Sequence, residues 1–446
     1  MTSGLLIAAP ASGSGKTVVT LALLRHFRNA GRAVASIKVG PDYIDPAFHA
    51  AASGRPCLNL DGWAMRPATL DALAAQAGAA AELVLGEGVM GLFDGAIGAS
   101  AAGLAPAPGS TAEIALRTGW PVLLVVDAKG LGASAAALLH GFASYHPSVA
   151  IAGVLFNRVG GPRHADLLCE SCAPLGLPVL GALPRDPGLA LPERHLGLVQ
   201  AGEHDALDAF LERAAGIVAA HADTAALAAL AVPGRMAAAA GAAPSPLPPL
   251  GQRIAVASDI AFAFAYPFVL AGWRAAGAEV TTFSPLADEA PDPAADAVFL
   301  PGGYPELHAG RIAGNRRFLD GLHNAAARGA AVYGECGGYM VLGRTLRDGA
   351  GRDHAMAGLL PLETSFAAPQ RHLGYRRATL LGDGPLGTAD TAYRGHEFHF
   401  AQERRSGKAA PLFACRDAAG TARGTAGQRD GRVMGSFLHL IDRAAD

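Results

Sequence analysis

Lysine is nearly missing from this chain. Of 36 basic residues in 446, only Lys16, Lys38, Lys129 and Lys408 are lysine, and the other 32 are arginine. Where a sequence that spells arginine almost everywhere keeps lysine, a compact ammonium is expected rather than a planar fork. Cysteine is scarce as well. Five cysteines in 446 residues cannot build a disulfide scaffold, so a reducing cytoplasm is the expected setting. Cys169 and Cys172 form a CESC pair without the second pair a zinc site needs, and they read as helix residues. Charged residues make up 17% of the chain and the net charge is −2, so no basic surface for nucleic acid or anionic membrane is expected. No apolar run approaches the roughly 18–20 residues of a membrane span. The short apolar stretch near the N-terminus follows no basic segment, so no secretory signal is expected. Aromatics are only 6% of residues, whereas glycine numbers 57, which suits tight loops and close helix–sheet packing.

About half the residues are apolar, enough for sizeable cores, and the length suggests two or three domains. Leu5–Ala9, Ala33–Val39, Glu82–Leu85, Pro121–Val126, Ala150–Phe156 and Pro178–Ala182 read as strands buried on both faces. Helical stretches such as Thr17–Asn29, Thr111–Thr118 and Ala133–Ser144 alternate with them. The alternation predicts a doubly wound parallel α/β sheet over residues 1–230. The stretch 231–251 is rich in Ala, Pro and Gly and reads as a linker. The pattern then restarts, with strands at Arg253–Ser258, Glu279–Thr282, Ala297–Leu300 and Ala331–Gly334 and helices at Phe264–Ala276 and Asn315–Arg328. Residues 252–446 are therefore predicted to form a second doubly wound α/β domain, with short β segments and turns toward its end.

Strand Leu5–Ala9 runs into PASGSGKT, Pro10 to Thr17, and then a helix. This approximates the G-x-x-x-x-G-K-[ST] loop, with Pro10 in place of the first glycine. A nucleotide phosphate needs aimed backbone amides, a helix N-terminus, a lysine and a hydroxyl for Mg²⁺. Gly13, Ser14 and Gly15 would supply the amides, Lys16 the charge and Thr17 the hydroxyl. An ATP-binding, P-loop NTPase-like domain follows. Partition-type ATPases place a second lysine early in this loop, where this chain has Ala11.

Two more predicted strands end in GPDYIDP and GEGVMGLFDG. They bring Asp42, Asp45, Glu87 and Asp94 to the loop side of the sheet, where open α/β sheets bind ligands. Thr17, Asp45 and Glu87 are the expected Mg²⁺ ligands, and Asp42, Asp45 and Asp94 the expected catalytic carboxylates. Lys38, at the edge of the same crevice, would hold a phosphoryl group or a substrate carboxylate. Asn157, at the end of another strand, is the expected adenine contact.

In the second domain, GECGGYM places Cys336 in a strand-to-helix turn crowded by glycines, as a nucleophile elbow requires. LPGGYPE offers amides at Gly302 and Gly303 for an oxyanion hole, with Gly337 as a further donor. His439 in GSFLHLI is the leading base, with His372, His396 and His399 as competitors.

The ordered set ASGSGKT, KVGPDYID, EGVMGLFDG, LPGGYPE, GECGGYM, RGHEFHF and SFLHL resembles the cobyrinic acid a,c-diamide synthase family, whose aerobic-pathway counterpart uses hydrogenobyrinic acid. The resemblance implies a dethiobiotin-synthetase-like domain followed by a class I glutamine amidotransferase domain. It implies a Cys336 thioester that releases ammonia from L-glutamine, with His439 as base. It also implies ATP-dependent phosphorylation of corrin carboxylates in cobalamin biosynthesis, and matches Asp42, Asp45, Glu87 and Asp94 to metal-binding and catalytic positions. The wider amidotransferase pattern has a glutamate two residues after the histidine, where this chain has Ile441. Alternatives are a cobyric acid synthase-like enzyme, a ligase for another carboxylic acid, and a regulatory ATPase. The expected partners are small molecules, without nucleic acid or membrane, and a homodimer is compatible with the sequence.

Overall fold

Each apolar run of the N-terminal half becomes a strand of one parallel sheet in the computed structural model, which describes residues 2–79, 81–98, 105–189, 199–235, 245–405 and 407–445. The chain divides into two compact units, Met1–Trp63 with Leu70–Gly241, and Ala64–Thr69 with Ala242–Asp446.

In the first unit, β1 (Ser3–Ala8), β2 (Val34–Val39), β3 (Leu58–Leu60), β4 (Leu83–Glu87), β5 (Val122–Asp127), β6 (Ile151–Val159) and β7 (Val179–Pro184) stand in the order β3-β2-β4-β1-β5-β6-β7. All six pairings along that path are parallel. Helices α1 (Lys16–Asn29), α2 (Asp45–Ser53), α3 (Pro67–Gly78), α4 (Thr111–Thr118), α5 (Ser134–Tyr145), α6 (Pro162–Cys172), α7 (Leu207–His221) and α8 (Thr224–Ala229) complete it. The continuous apolar character of β1 and β5 is explained by burial, since Leu5–Ala8 and Val122–Val126 are almost fully enclosed. The Ser110 side chain accepts from the Glu113 amide at 3.1 Å and so fixes where α4 begins. At the start of the expected linker, Val232–Pro233 forms β8, which pairs antiparallel with Ser3 and Gly4. Residues 236–244 of that stretch lie outside the described residues.

The second unit contains β9 (Arg253–Ala257), β10 (Glu279–Phe283), β11 (Ala297–Leu300), β12 (Ala331–Glu335), β13 (Thr345–Arg347), β14 (Asp353–Ala355), β15 (Leu362–Ser365), β16 (His372–Leu380), β17 (Ala392–His399), β18 (Gln402–Arg405), β19 (Ala410–Arg416), β20 (Ala422–Asp430), β21 (Val433–Ser436) and β22 (Leu438–Arg443). Its helices are α9 (Pro267–Ala275), α10 (Ala309–Gly314), α11 (Arg316–Ala327) and α12 (Gly337–Leu342). The main sheet runs β10-β9-β11-β12-β21-β20-β19-β16-β17-β22. Its first five strands are parallel, as the βα alternation predicts, and the rest are antiparallel. A four-stranded sheet, β14-β13-β15-β18, lies beside the core that holds α12. The clustered segment Ala64–Thr69 is anchored here by Arg66, whose guanidinium reaches the fully buried Asp442 at 2.7 Å.

Candidate functional site

The glycine-rich loop leaves β1 and delivers Lys16 as the first residue of α1, so the amides of the loop and of the helix start share one end of the sheet. Arg158 donates to the Gly13 carbonyl at 2.8 Å and Asn157 Nδ2 to the Ser14 carbonyl at 3.0 Å. The Ser14 hydroxyl donates to Ala11 at 2.8 Å. Asn157 thus braces the loop from beneath, and its other amide atom accepts from the Arg158 backbone at 3.0 Å. Lys16 Nζ crosses to the carbonyl of Met90 at 2.8 Å, in the segment after β4. Burial holds its pKa below the ordinary lysine value.

Beside the loop, register does the assembly. Glu87 stands opposite Lys38 in the β2–β4 pair and opposite Ile7 in the β1–β4 pair. The Thr17 hydroxyl donates to Glu87 Oε1 at 2.6 Å, and Lys38 Nζ donates to the same oxygen at 2.8 Å and to Asp45 Oδ2 at 2.5 Å. Four of the expected residues therefore form one buried network. Burial alone would raise Glu87, but Lys38 and His49 outweigh it and hold the carboxylate well below its usual range. Burial first, and Asp42 next, push Asp45 upward, against the pull of Lys38. A hydroxyl with two carboxylates is an all-oxygen donor set, which fits Mg²⁺. Asp42 and Asp94 also have local work. Asp42 accepts from the amides of Ile44 and Asp45 at 2.7 and 3.1 Å, at the start of α2, and Asp94 accepts from Gly91 at 2.8 Å.

Sequence reasoning missed His49. It is fully buried on α2, with Nε2 at 2.6 Å from Glu87 Oε2 and Nδ1 at 3.5 Å from Cys57 Sγ. A lone histidine on an apolar helix carries no motif, and only strand register brings Glu87 to it.

In the second unit Cys336 caps α12 with φ 47° and ψ −107°, a conformation that costs a non-glycine residue strain. Its amide donates to the Ser436 carbonyl at 2.8 Å, tying the elbow to β21. The elbow needs glycine at 338 because a Cβ there would lie 1.9 Å from the Leu300 carbonyl oxygen. Burial pushes the thiol well above the ordinary cysteine value. Glu306, Glu335 and Glu397 add to that, while the Gly337 amide opposes it. Gly302 marks where nucleophile and base meet. A Cβ on it would fall 2.3 Å from His439 Cε1, 3.1 Å from Nε2 and 3.3 Å from the Cys336 Cβ. Gly303 lies beside Gly337, its amide nitrogen 3.0 Å from where a Gly337 Cβ would stand.

His439 is fully buried, and burial with the nearby His396 and His399 holds it down to about 3, so its imidazole is neutral. Of the competing histidines, His396 is the strand neighbour of His439 across β17 and β22. His399 stacks on His372 and is bonded to Glu397 at 3.1 Å.

Residues 253–445 match the model of the CobB/CobQ-like glutamine amidotransferase domain, and residues 5–199 that of the CobQ/CobB/MinD/ParA nucleotide binding domain. The chain is 56% identical over 98% of its length to a hydrogenobyrinate a,c-diamide synthase of Brucella suis, of which 98% is covered. It is 53% identical to the protein of that name from Rhizobium meliloti, over 99% of each chain. With the Rhodobacter capsulatus protein of that name the identity is 55%, over 98% of each.

Proposed function

Because this chain belongs to the hydrogenobyrinate a,c-diamide synthase family, we propose that it converts the a and c acetate carboxylates of hydrogenobyrinic acid to amides, using ATP and glutamine. The observation that carries this reading is identity above half over nearly the whole of both chains. The reaction belongs to cobalamin biosynthesis, and a cytoplasmic setting is part of the reading.

The chemistry divides between two sites. A carboxylate is a poor acyl donor, and transfer of the ATP γ-phosphoryl group to its oxygen makes phosphate the leaving group. Loop amides from Gly13 to Gly15 and the Lys16 ammonium would hold the nucleotide phosphates. Thr17, Asp45 and Glu87 would hold Mg²⁺, which when bound offsets phosphate charge. Lys38 would neutralise the acceptor carboxylate or the transferring group. Asp42 and Asp94 act through the shape of the loops that carry them. Asn157 would act by fixing Ser14.

At the second site, His439 Nε2 would take the Cys336 proton as sulfur attacks the glutamine carboxamide carbon. The amides at Gly302, Gly303 and Gly337 would receive the oxyanion. Collapse breaks the C–N bond, ammonia leaves with the proton returned by His439, and water then hydrolyses the thioester to glutamate. Ammonia attacks the acyl phosphate and expels phosphate.

The test is a mass-resolved amidation assay with Mg–ATP, glutamine and either hydrogenobyrinic or cobyrinic acid. A gain of two amides and no more, dependent on ATP and with the first macrocycle preferred, is the expected result. No amide, with ATP hydrolysis intact, would overturn the substrate class.

A further inference from the structure

The strand period of two puts His439 and Ile441 on the same face of β22, and Ile441 offers no acceptor for an imidazole N–H. The neighbouring strand supplies an acid instead. Glu335 ends β12, immediately before the nucleophile, and stands opposite Ser436 in the β12–β21 register. Its Oε2 lies 3.9 Å from His439 Nδ1. Its Oε1 is fixed by two donors, the Tyr333 hydroxyl at 2.9 Å and the Leu440 amide at 3.1 Å. The Leu440 amide belongs to the residue next to His439, so one carboxyl group holds the backbone beside the base and stands 3.9 Å from its ring. The opposite edge of the ring, Nε2 and Cε1, faces Gly302, which also lies beside Cys336.

We propose that Glu335 is the positioning residue for His439, occupying from the strand before the nucleophile the role that an acid two residues after the histidine has in the wider amidotransferase pattern. It accepts the Nδ1 proton, and that selects the tautomer whose Nε2 can take the thiol proton. The inference rests on the assignment of Cys336 and His439 as nucleophile and base. Other titratable groups face this cluster. Tyr333 bonds Glu335, His396 and His399 face His439, and Glu306 and Glu397 face Cys336.

Two substitutions separate positioning from support of the fold. Glu335→Gln keeps the volume and an oxygen for Tyr333 and Leu440 but loses the carboxylate. Glu335→Asp keeps the carboxylate and opens a gap. A positioning role predicts that above about pH 8, where Glu335 is ionised, glutamine hydrolysis by the Gln variant loses about a hundredfold or more in kcat, by analogy with removal of the acid from a triad. KM for glutamine should stay within about twofold, and the Asp variant should be the faster of the two. A purely structural role predicts the reverse order, and that order, or a Gln variant with wild-type kcat, would overturn the proposal. If neither variant folds, ¹⁵N-histidine spectra of the wild-type chain decide. A neutral His439 with its proton on Nδ1 above pH 8 is expected, and a proton on Nε2 would overturn the proposal. Glutamine hydrolysis that survives Cys336→Ser would instead remove the assignment on which the inference rests.

Discussion

His49 Nε2 lies 2.6 Å from Glu87 Oε2, with both side chains sealed from solvent. Burial disfavours a charged imidazole, but the Cys57 and Glu87 partners on its two nitrogens raise it to about 10. His49 is therefore a cation in the folded protein and balances charge on the carboxylate that meets Thr17 and Lys38. His49→Ala is expected to cost about 3–5 kcal/mol of stability, as removal of one partner from a buried pair does. A group whose folded pKa is raised contributes fully below its unfolded value and loses that contribution as pH rises through the folded value. The advantage of wild type over His49→Ala in urea denaturation should be flat below about pH 6.5 and shrink toward pH 10. A gap that widens over that range would contradict the assigned charge.

Glu335 makes a second pH-dependent contribution. Burial raises its carboxyl from 4.5 to about 8, against the pull of the Leu440 amide and the Tyr333 hydroxyl. The folded state favours the protonated form, so this contribution is full below the unfolded value and falls as pH rises through about 8. Wild type should lose up to about 1.4 kcal/mol per pH unit across that window relative to the neutral isostere Glu335→Gln. Parallel stability curves for the two proteins between pH 5 and 8 would show that the carboxyl is not held in this way.

Cys336→Ser should abolish glutamine-dependent amidation and leave ammonia-dependent amidation in place. The serine hydroxyl is a far weaker nucleophile beside a neutral imidazole, while the phosphoryl-transfer groups belong to the other unit. The same preparation, assayed with glutamine and with ammonium chloride, gives the comparison. Loss of both activities in a folded variant would refute the division of labour.

What could be read from the sequence was whatever local chemistry writes into consecutive residues. GSGKT between a strand and a helix, GECGGYM after Ala331–Gly334, and the six apolar runs each carry their reason within a few positions. Lys38, Asp45 and Glu87 could be nominated because each follows or ends a buried strand. Their mutual bonding is a matter of register, since Lys38 faces Glu87 only through the order β2-β4-β1. His49 and Glu335 were illegible for the same reason. His49 meets an acid 38 positions away, and the acid beside His439 is 104 residues before it, where no spacing rule reaches. The bonds that tie Asn157 to Ser14 and Arg158 were not legible either, since they depend on the loop folding back against β6. The antiparallel half of the second sheet was legible only as short β segments, since strands with one solvated face carry a weaker apolar signal than buried parallel ones.

The scarcity of lysine makes one substitution especially informative. In a chain with 32 arginines, position 38 holds lysine, and its ammonium sits almost fully buried between two carboxylates at 2.5 and 2.8 Å. Both carboxylates raise its pKa well above the ordinary value in spite of burial, so the charge persists through the neutral range. Arginine would keep that charge and still fail the site. A guanidinium is a planar fork that spreads its donors over several ångströms, whereas Asp45 and Glu87 converge on one point. Fitting the larger group into a packed site is expected to cost about 1–3 kcal/mol, and to push Glu87 away from Thr17. Lys38→Arg should therefore lower amidation with glutamine and with ammonia to the same extent, leave glutamine hydrolysis by Cys336 near its wild-type rate, and lower the melting temperature. Lys38→Met, which removes the charge and keeps the length, separates the two causes. If shape is decisive at this position, the arginine variant is no more active than the methionine variant. An arginine variant with wild-type amidation would show that any cation suffices between Asp45 and Glu87, and that the lysine there is chance.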